Sequence, residues 1–243
     1  MSYSEKYFVM YHDVAPNGEI KPSALMRFMQ ETANHHMRDS KPSYDELYGQ
    51  GKVFILSRMN IEIRFPLRRY DQIEVDTWPT SKGVTFLRSY QIRRGEELAA
   101  RATGTWALVD INTKRFFRAN EVDLSSYHEE PPLTDTLDKR VVIPDGAKMS
   151  YAGSHTVAFT ETDLNGHMNN TYYPDILVNF IPEIEKYAMK GMTLQYMSEA
   201  KLGAKLDVYV SEPIFENGTK IYLRTIVGDK TNVAAEFDLI KLY

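Results

Sequence analysis

Glu161-Thr162-Asp163-Leu164-Asn165-Gly166-His167-Met168-Asn169-Asn170, followed at once by an aromatic segment from Thr171, decides how this chain is read. A carboxylate, an amide and an imidazole alternate at Asp163, Asn165 and His167, just ahead of an expected helix. In an extended segment alternate side chains share one face, so the three groups are expected to converge. Such a set can polarise a carbonyl and move a proton, and packing alone rarely needs it. The same Asn-Gly punctuation occurs at Asn17-Gly18, also ahead of a helix, without that chemical set. The implied organisation is one fold used twice, with one half equipped.

The rest of the chain supports a repeat. In the first half a strand is expected over Tyr7 to Val14. A helix is expected from Pro22, suited to a first turn, to about Arg38, with Leu25, Phe28, Met29, Thr32 and His36 on one stripe. A short helix over Tyr44 to Tyr48 follows. Strand-like runs then cover Val53 to Phe65, Gln72 to Thr77, Thr85 to Arg93 and Leu98 to Ile111, separated by proline and glycine turn signals. The second half repeats the order. A strand is expected at His155 to Thr160 and a helix at Thr171 to Ile181, ended by Pro182. Strands are expected at Met192 to Ala200, Lys205 to Ser211, Ile221 to Val227 and Asn232 to Leu242. Met59, Ile61, Ile63, Ile73 and Val75 match Met192, Leu194, Tyr196, Leu206 and Val208 at one constant spacing, and Phe86-Leu87-Arg88-Ser89 echoes Tyr222-Leu223-Arg224-Thr225. The period is far longer than the roughly 20–50 residues of solenoid repeats. The reading is therefore α+β, with two tandem units at 1–119 and 150–243. Each has a long helix packed on an antiparallel sheet. The acidic, proline-containing stretch 120–149 joins them.

Bulk properties narrow the class. The chain has 243 residues, 43% of them hydrophobic and 12% aromatic, as in a globular protein, and its net charge of −4 gives no global field for nucleic acid. It has no cysteine, which removes disulfides, thiolate metal sites and any thiol nucleophile. No secretory leader or membrane span is legible, so a soluble, cytoplasmic protein is expected. No metal and no cofactor is called for. A calcium loop starting at Asp163 is excluded, because Met168 and Pro174 stand where glycine and glutamate are needed.

Each candidate residue has a plainer reading. Asp163, Asn165 and His167 could belong to a hairpin in which Asp caps and Asn-Gly turns. Glu199 could be an edge-strand charge, although the repeat sets it opposite Pro66, so only the second half has a carboxylate there. His35-His36 lacks a carboxylate at metal spacing and reads as a helix face. Arg64, Arg68 and Arg69 are either solvated strand ends or a dock for an acidic partner. The aromatic residues are core or the lining of an apolar tunnel.

Asp163-x-Asn165-x-His167-x-Asn169-Asn170-x-x-Tyr173, with Glu199 further on, resembles the active-site pattern of the acyl-acyl carrier protein thioesterases, which are double hot dog enzymes. Trp106-Ala-Leu-Val-Asp110-Ile-Asn-Thr113-Lys-Arg115 supports the resemblance, which spans nearly the whole chain. It implies hydrolysis of a fatty acyl thioester on acyl carrier protein, with Asp163, Asn165, His167 and Glu199 as the catalytic set. Where plant members often carry a cysteine after the glutamate, this chain has Ala200, so the chemistry must run through water or a carboxylate. Glu199 is expected to activate water, helped by burial. Asn165 and N–H groups at the Thr171 helix start are expected to steady the oxyanion, although His167 and Glu199 could exchange roles. Leu25, Phe28 and Met29 are expected to line the acyl tunnel, and Arg64, Arg68 and Arg69 to dock the acidic carrier. Acyl-coenzyme A hydrolysis, a dehydratase and a non-catalytic lipid binder remain alternatives. Two fused units make a monomer plausible, with a homodimer also open.

Overall fold

The computed structural model describes residues 2–133, 137, 139–215 and 218–242. Alternation of apolar and polar residues drives ten strands into one antiparallel sheet. The first half supplies β1 (Tyr3–Phe8), β2 (Lys52–Ile63), β3 (Gln72–Lys82), β4 (Thr85–Arg94) and β5 (Glu97–Asp110). The second supplies β6 (Met149–Thr156), β7 (Tyr187–Tyr196), β8 (Lys205–Ser211), β9 (Thr219–Val227) and β10 (Lys230–Lys241). Their order across the sheet is β1-β3-β4-β5-β2-β7-β10-β9-β8-β6, which reads alike from both ends. The halves join where β2 meets β7, Arg58 opposite Gln195 through Glu62 opposite Gly191. A pseudo-twofold axis therefore passes through the Asn60–Thr193 pair, whose side chains hydrogen-bond at 3.2 Å. Gly191 is needed beside this axis, since a Cβ there would lie 2.8 Å from the Ile61 carbonyl oxygen.

Helix α1 (Pro22–Asp39) lies on the concave face and buries Ala24, Leu25, Met26, Met29, Ala33 and His36. Pro22 starts it as expected. Ser23 is held across the pseudo-axis by Asp175, which accepts from its amide at 2.8 Å and its hydroxyl at 2.5 Å. Helix α2 (Tyr44–Gly49) begins with a capping box, Ser43 accepting from Glu46 N–H and the Glu46 carboxylate from Ser43 N–H. The second-half helix, α3, covers only Tyr173–Val178, not Thr171 to Ile181. Phe180 and Ile181 donate three residues back, to Leu177 and Val178, tightening the chain before Pro182.

Other boundaries also shift. β1 ends at Phe8 and is followed by a 3-10 turn at Tyr11–Asp13, where the sequence suggested continuous strand. β6 starts at Met149 and stops before a matching 3-10 turn at Phe159–Glu161. β7 ends at Tyr196, so Glu199 stands in a loop rather than a strand. The echo between Phe86-Leu87-Arg88 and Tyr222-Leu223-Arg224 does not survive in register. Gly104 pairs with both Met59 and Arg88, and Phe237 pairs with both Met192 and Ile221, so Ile221 is the counterpart of Arg88.

The segment after β5 crosses the outer face of the sheet. The Pro131 carbonyl accepts from Trp78 Nε1 at 2.8 Å, Lys139 N–H donates to Asn60 Oδ1 at 3.2 Å, and Val141 N–H donates to Gln195 Oε1 at 3.2 Å. No helix among the described residues is long and apolar enough to cross a membrane.

Candidate active site

The two Asn-Gly segments form one kind of turn. In the second half, Asp163 N–H donates to the His167 carbonyl at 2.9 Å and Gly166 N–H to the Asp163 carbonyl at 2.9 Å. In the first half, Ala15 N–H donates to the Glu19 carbonyl at 2.8 Å and Gly18 N–H to the Ala15 carbonyl at 2.9 Å. Gly166 has φ +75° and Gly18 φ +79°, a backbone region that favours glycine. Asp163, Asn165 and His167 thus lie in a tight turn, not in the extended segment suggested by their alternation. The Asp163 carboxylate accepts from Asn165 N–H at 2.9 Å and shapes the turn itself.

Pairing beyond the turn assembles the chemistry. His167 bridges Lys201, and Met168 N–H donates to the Ala200 carbonyl at 2.8 Å, which brings Glu199 alongside. His167 Nε2 lies 3.2 Å from Glu199 Oε2. The His167 side chain is 24% exposed and that of Glu199 58%, so the burial expected of Glu199 is not found. At the first-half turn the same pairing sets Glu19 against Arg68 and leaves Pro66 where Glu199 stands. Burial raises the pKa of Glu19, and the Arg68 charge opposes that rise.

Asn232 holds the Glu199 loop and is fully buried. Its carbonyl accepts from Met197 N–H at 2.8 Å, and its side chain donates to the Ser198 carbonyl and accepts from Thr225 Oγ1 at 3.0 Å. A register shift in β10 between Thr231 and Val233 frees Asn232 for this role. Tyr173 packs edge-on against Tyr196, centroids 5.6 Å apart. Burial, with the Glu199 charge as a smaller contribution, pushes its phenol up to about 12. Asn169 Oδ1 accepts from both Thr171 N–H and Thr171 Oγ1 at 2.9 Å. That amide is therefore occupied, and α3 is only six residues long.

A cavity of about 810 Å³ opens beside the turn, on the first-half side of the concave face. Asp163, Asn165, Asn169 and Asn170 reach it from the second half, and Met26, Gln30, Ala33, Asn34 and Met37 line it from α1. Leu25 and Met29 instead point into the core, each 1% exposed, and Phe28 packs on Tyr7 with centroids 5.0 Å apart. The cavity face of α1 is thus rotated from the one the stripe suggested. Tyr44, from α2, lines the cavity together with Asn165, and burial raises its pKa. Neither Tyr44 nor Asn232 was legible as a site residue, because each meets the motif only through tertiary contact. Arg64, Arg68 and Arg69 are exposed; Arg64 pairs with Glu62 at 2.9 Å, and Arg69 lies over the Tyr11 and Tyr70 rings. They belong to the first-half turn, whereas exposed Lys201 belongs to the equipped one.

Comparison with known proteins identifies the fold and the family. The chain is 22% identical over 238 residues to a palmitoyl-acyl carrier protein thioesterase of Gossypium hirsutum, covering 90% of this chain and 57% of that one. It is 27% identical over 222 residues to oleoyl-acyl carrier protein thioesterase 2 of Arabidopsis thaliana, covering 82% and 60%. It therefore spans little more than half the length of these curated relatives. Among solved structures, an acyl-ACP thioesterase from Bacteroides thetaiotaomicron superposes with a TM-score of 0.84 at 17% identity, covering 97% of this chain and 96% of that one. The 12:0-ACP thioesterase from Umbellularia californica gives 0.84 at 17% identity, covering 99% and 97%. These likenesses establish the double hot dog fold. Residues 1–125 match the acyl-ACP thioesterase N-terminal domain and residues 147–240 its C-terminal domain. With both family domains in order along one continuous sheet, the chain belongs to the acyl-ACP thioesterase family.

Proposed function

We propose that the protein hydrolyses the thioester of fatty acyl-acyl carrier protein, releasing the free fatty acid and ending chain elongation. The observation that carries this is the His167–Glu199 pair at 3.2 Å, on a turn whose other members line the 810 Å³ cavity. A passive lipid binder gives no reason for a solvent-reached carboxylate to meet an imidazole there.

In this reading the acyl chain occupies the cavity and the thioester lies at the turn. Glu199, open to water, takes a proton from the attacking water, whose oxygen bonds to the acyl carbon. The Asn165 amide, at the cavity wall, donates to the carbonyl oxygen as charge develops on it. Glu199 hands the water's proton to His167, 3.2 Å away, which delivers it to the thiol sulfur as the C–S bond breaks, so both groups return to their starting forms. Asp163 is a positioning residue that fixes the turn. The division of labour is part of the proposal: 1–119 binds the acyl chain, 150–243 carries the chemistry and 120–149 joins them.

The carrier is assigned to the equipped turn, with exposed Lys201 as a cationic contact for its acidic surface. Arg64, Arg68 and Arg69 are then too closely tied to the other turn for the docking first expected of them. A cytoplasmic site of action fits a chain without cysteine.

Release of free thiol from a panel of acyl-carrier proteins and matched acyl-coenzyme A esters tests the reading. Turnover by wild type that His167→Ala and Glu199→Ala lose supports it, and the panel ranks the two carriers. Folded wild-type protein that hydrolyses none of them refutes it.

A further inference from the structure

The cavity is not uniformly apolar. Arg88 on β4 lines it and is only 8% exposed, yet its hydrogen-bond partners are neutral: His36 Nδ1 at 3.1 Å and Thr77 Oγ1 at a long 3.5 Å. Donation into Nδ1 requires His36 to carry its proton on Nε2, as a neutral ring. Burial first, then the Arg88 charge, hold the His36 pKa down at about 4, so the ring adds no countercharge and takes none away. Tyr90 and Tyr127 are the other groups that act on Arg88, and both are phenols whose pKa burial pushes up to about 12. No carboxylate pairs with Arg88 among the described residues. Two more polar atoms on the cavity wall, Trp106 Nε1 and Ser81 Oγ, are buried without a hydrogen-bond partner.

The scaffold does not require a cation at this point. The register makes Ile221 the counterpart of Arg88 and Phe237 the counterpart of Gly104, and both are buried hydrocarbon in the second half. A buried cation without an anion is costly, and a plain methyl-terminated chain would leave Arg88 uncompensated. The guanidinium and the indole N–H are both donors, so the missing group is an acceptor. Among acceptors only an anion also neutralises the charge, and a carboxylate matches the guanidinium fork.

We infer that the cavity contains a polar subsite, centred on Arg88 with Trp106 Nε1 beside it, for an acyl chain that carries a carboxylate beyond its thioester. This rests on the thioesterase reading for the direction of the chain, with the thioester at the turn and the second carboxylate inside.

The test is direct binding, independent of hydrolysis. Calorimetry would compare monomethyl dodecanedioate, whose ester stands in for the thioester and whose free end is a carboxylate, with methyl dodecanoate. Wild type should bind the carboxylate-tipped ester at least about tenfold more tightly. Arg88→Met should abolish that advantage while binding methyl dodecanoate within about threefold of wild type. Arg88→Lys keeps the charge without the fork, and should retain part of the preference if Arg88→Met does not fold. Equal or tighter binding of methyl dodecanoate by wild type overturns the subsite, as does an advantage that survives Arg88→Met. Hydrolysis of unmodified acyl-carrier protein is scored separately. If it proceeds without selective ester binding, the subsite fails and the thioesterase reading stands. If selective binding occurs but no thioester is cleaved, the thioesterase reading fails instead.

Discussion

The turns Ala15-Pro16-Asn17-Gly18-Glu19 and Asp163-Leu164-Asn165-Gly166-His167 share a backbone and differ in what they present. Each closes with the same two hydrogen bonds, each is pinned to a following segment, and each precedes a helix. One sets His167 against Glu199; the other sets a half-buried Glu19 against Arg68 with Pro66 behind it. The sheet beneath shows the reverse asymmetry. The first half has Gly104 and a cavity, while the second has Phe237, fully buried, at the equivalent point. Turn geometry is thus scaffold, and function lies in the side chains hung on it. The His167–Glu199 pair stands in one half and the cavity lies mostly in the other.

The sharpest break would come from the turns themselves. His167→Ala or Glu199→Ala should lower kcat by about 10²-fold or more, while Glu19→Ala at the other turn should leave kcat within about twofold, read by thiol release. A comparable loss from Glu19→Ala would mean that both turns contribute to turnover.

The space under α1 gives the next largest effect. His36, 6% exposed and with its pKa held at about 4, is neutral in the fold and protonates more readily in the unfolded chain, where the ordinary value is 6.5. Because the folded pKa is the lower one, its contribution is full above about pH 6.5 and declines as pH falls toward 4. Urea unfolding should show roughly 3 kcal/mol less stability at pH 4 than at pH 7 from this group alone, as the difference between wild type and His36→Gln. An identical pH dependence in the two proteins would contradict it.

Filling the cavity tests the sheet comparison. A Cβ at Gly104 would meet Trp106 Nε1 at 2.7 Å and Met59 Cε at 3.5 Å, both side chains that can move. Gly104→Leu should therefore shift preference to shorter chains, changing the long-to-short ratio of kcat/KM by about tenfold with turnover on short chains preserved. The smallest effect concerns the carrier. Lys201→Glu should raise KM for acyl-carrier protein about threefold at low salt and less at high salt, whereas Arg68→Glu should not. The opposite ranking would return docking to the first-half turn.

Much of this was legible because hydrophobic periodicity and Asn-Gly punctuation are local signals. The repeat, the length and start of α1 and most strands followed from them. What stayed hidden depends on bulges and distant contacts. The register shift that frees Asn232 ends β7 early and lifts Glu199 out of the strand in which its spacing had set it. Alternation at Asp163, Asn165 and His167 looked like an extended strand, yet the Asp163 carboxylate is spent on its own turn. Matching letters at Arg88 and Arg224 suggested a repeat that the strand register denies, since pairing follows the ladder and not local similarity. The stripe on α1 correctly marked a buried face but could not separate core from cavity wall, because Met29 and Met26 are equally apolar.

The segment laid across the outer face, tying Trp78 to Pro131 and Asn60 to Lys139, has a consequence for how such asymmetry is tolerated. In a pair of identical chains every substitution is made twice. Exchanging a buried phenylalanine for glycine would open two holes, each costing about 3–5 kcal/mol or more, against a total stability of about 5–15 kcal/mol. A single covalent crossing lets the first half keep a cavity while Phe237 stays packed in the second. The tether thus allows one copy to become a container without hollowing out the other.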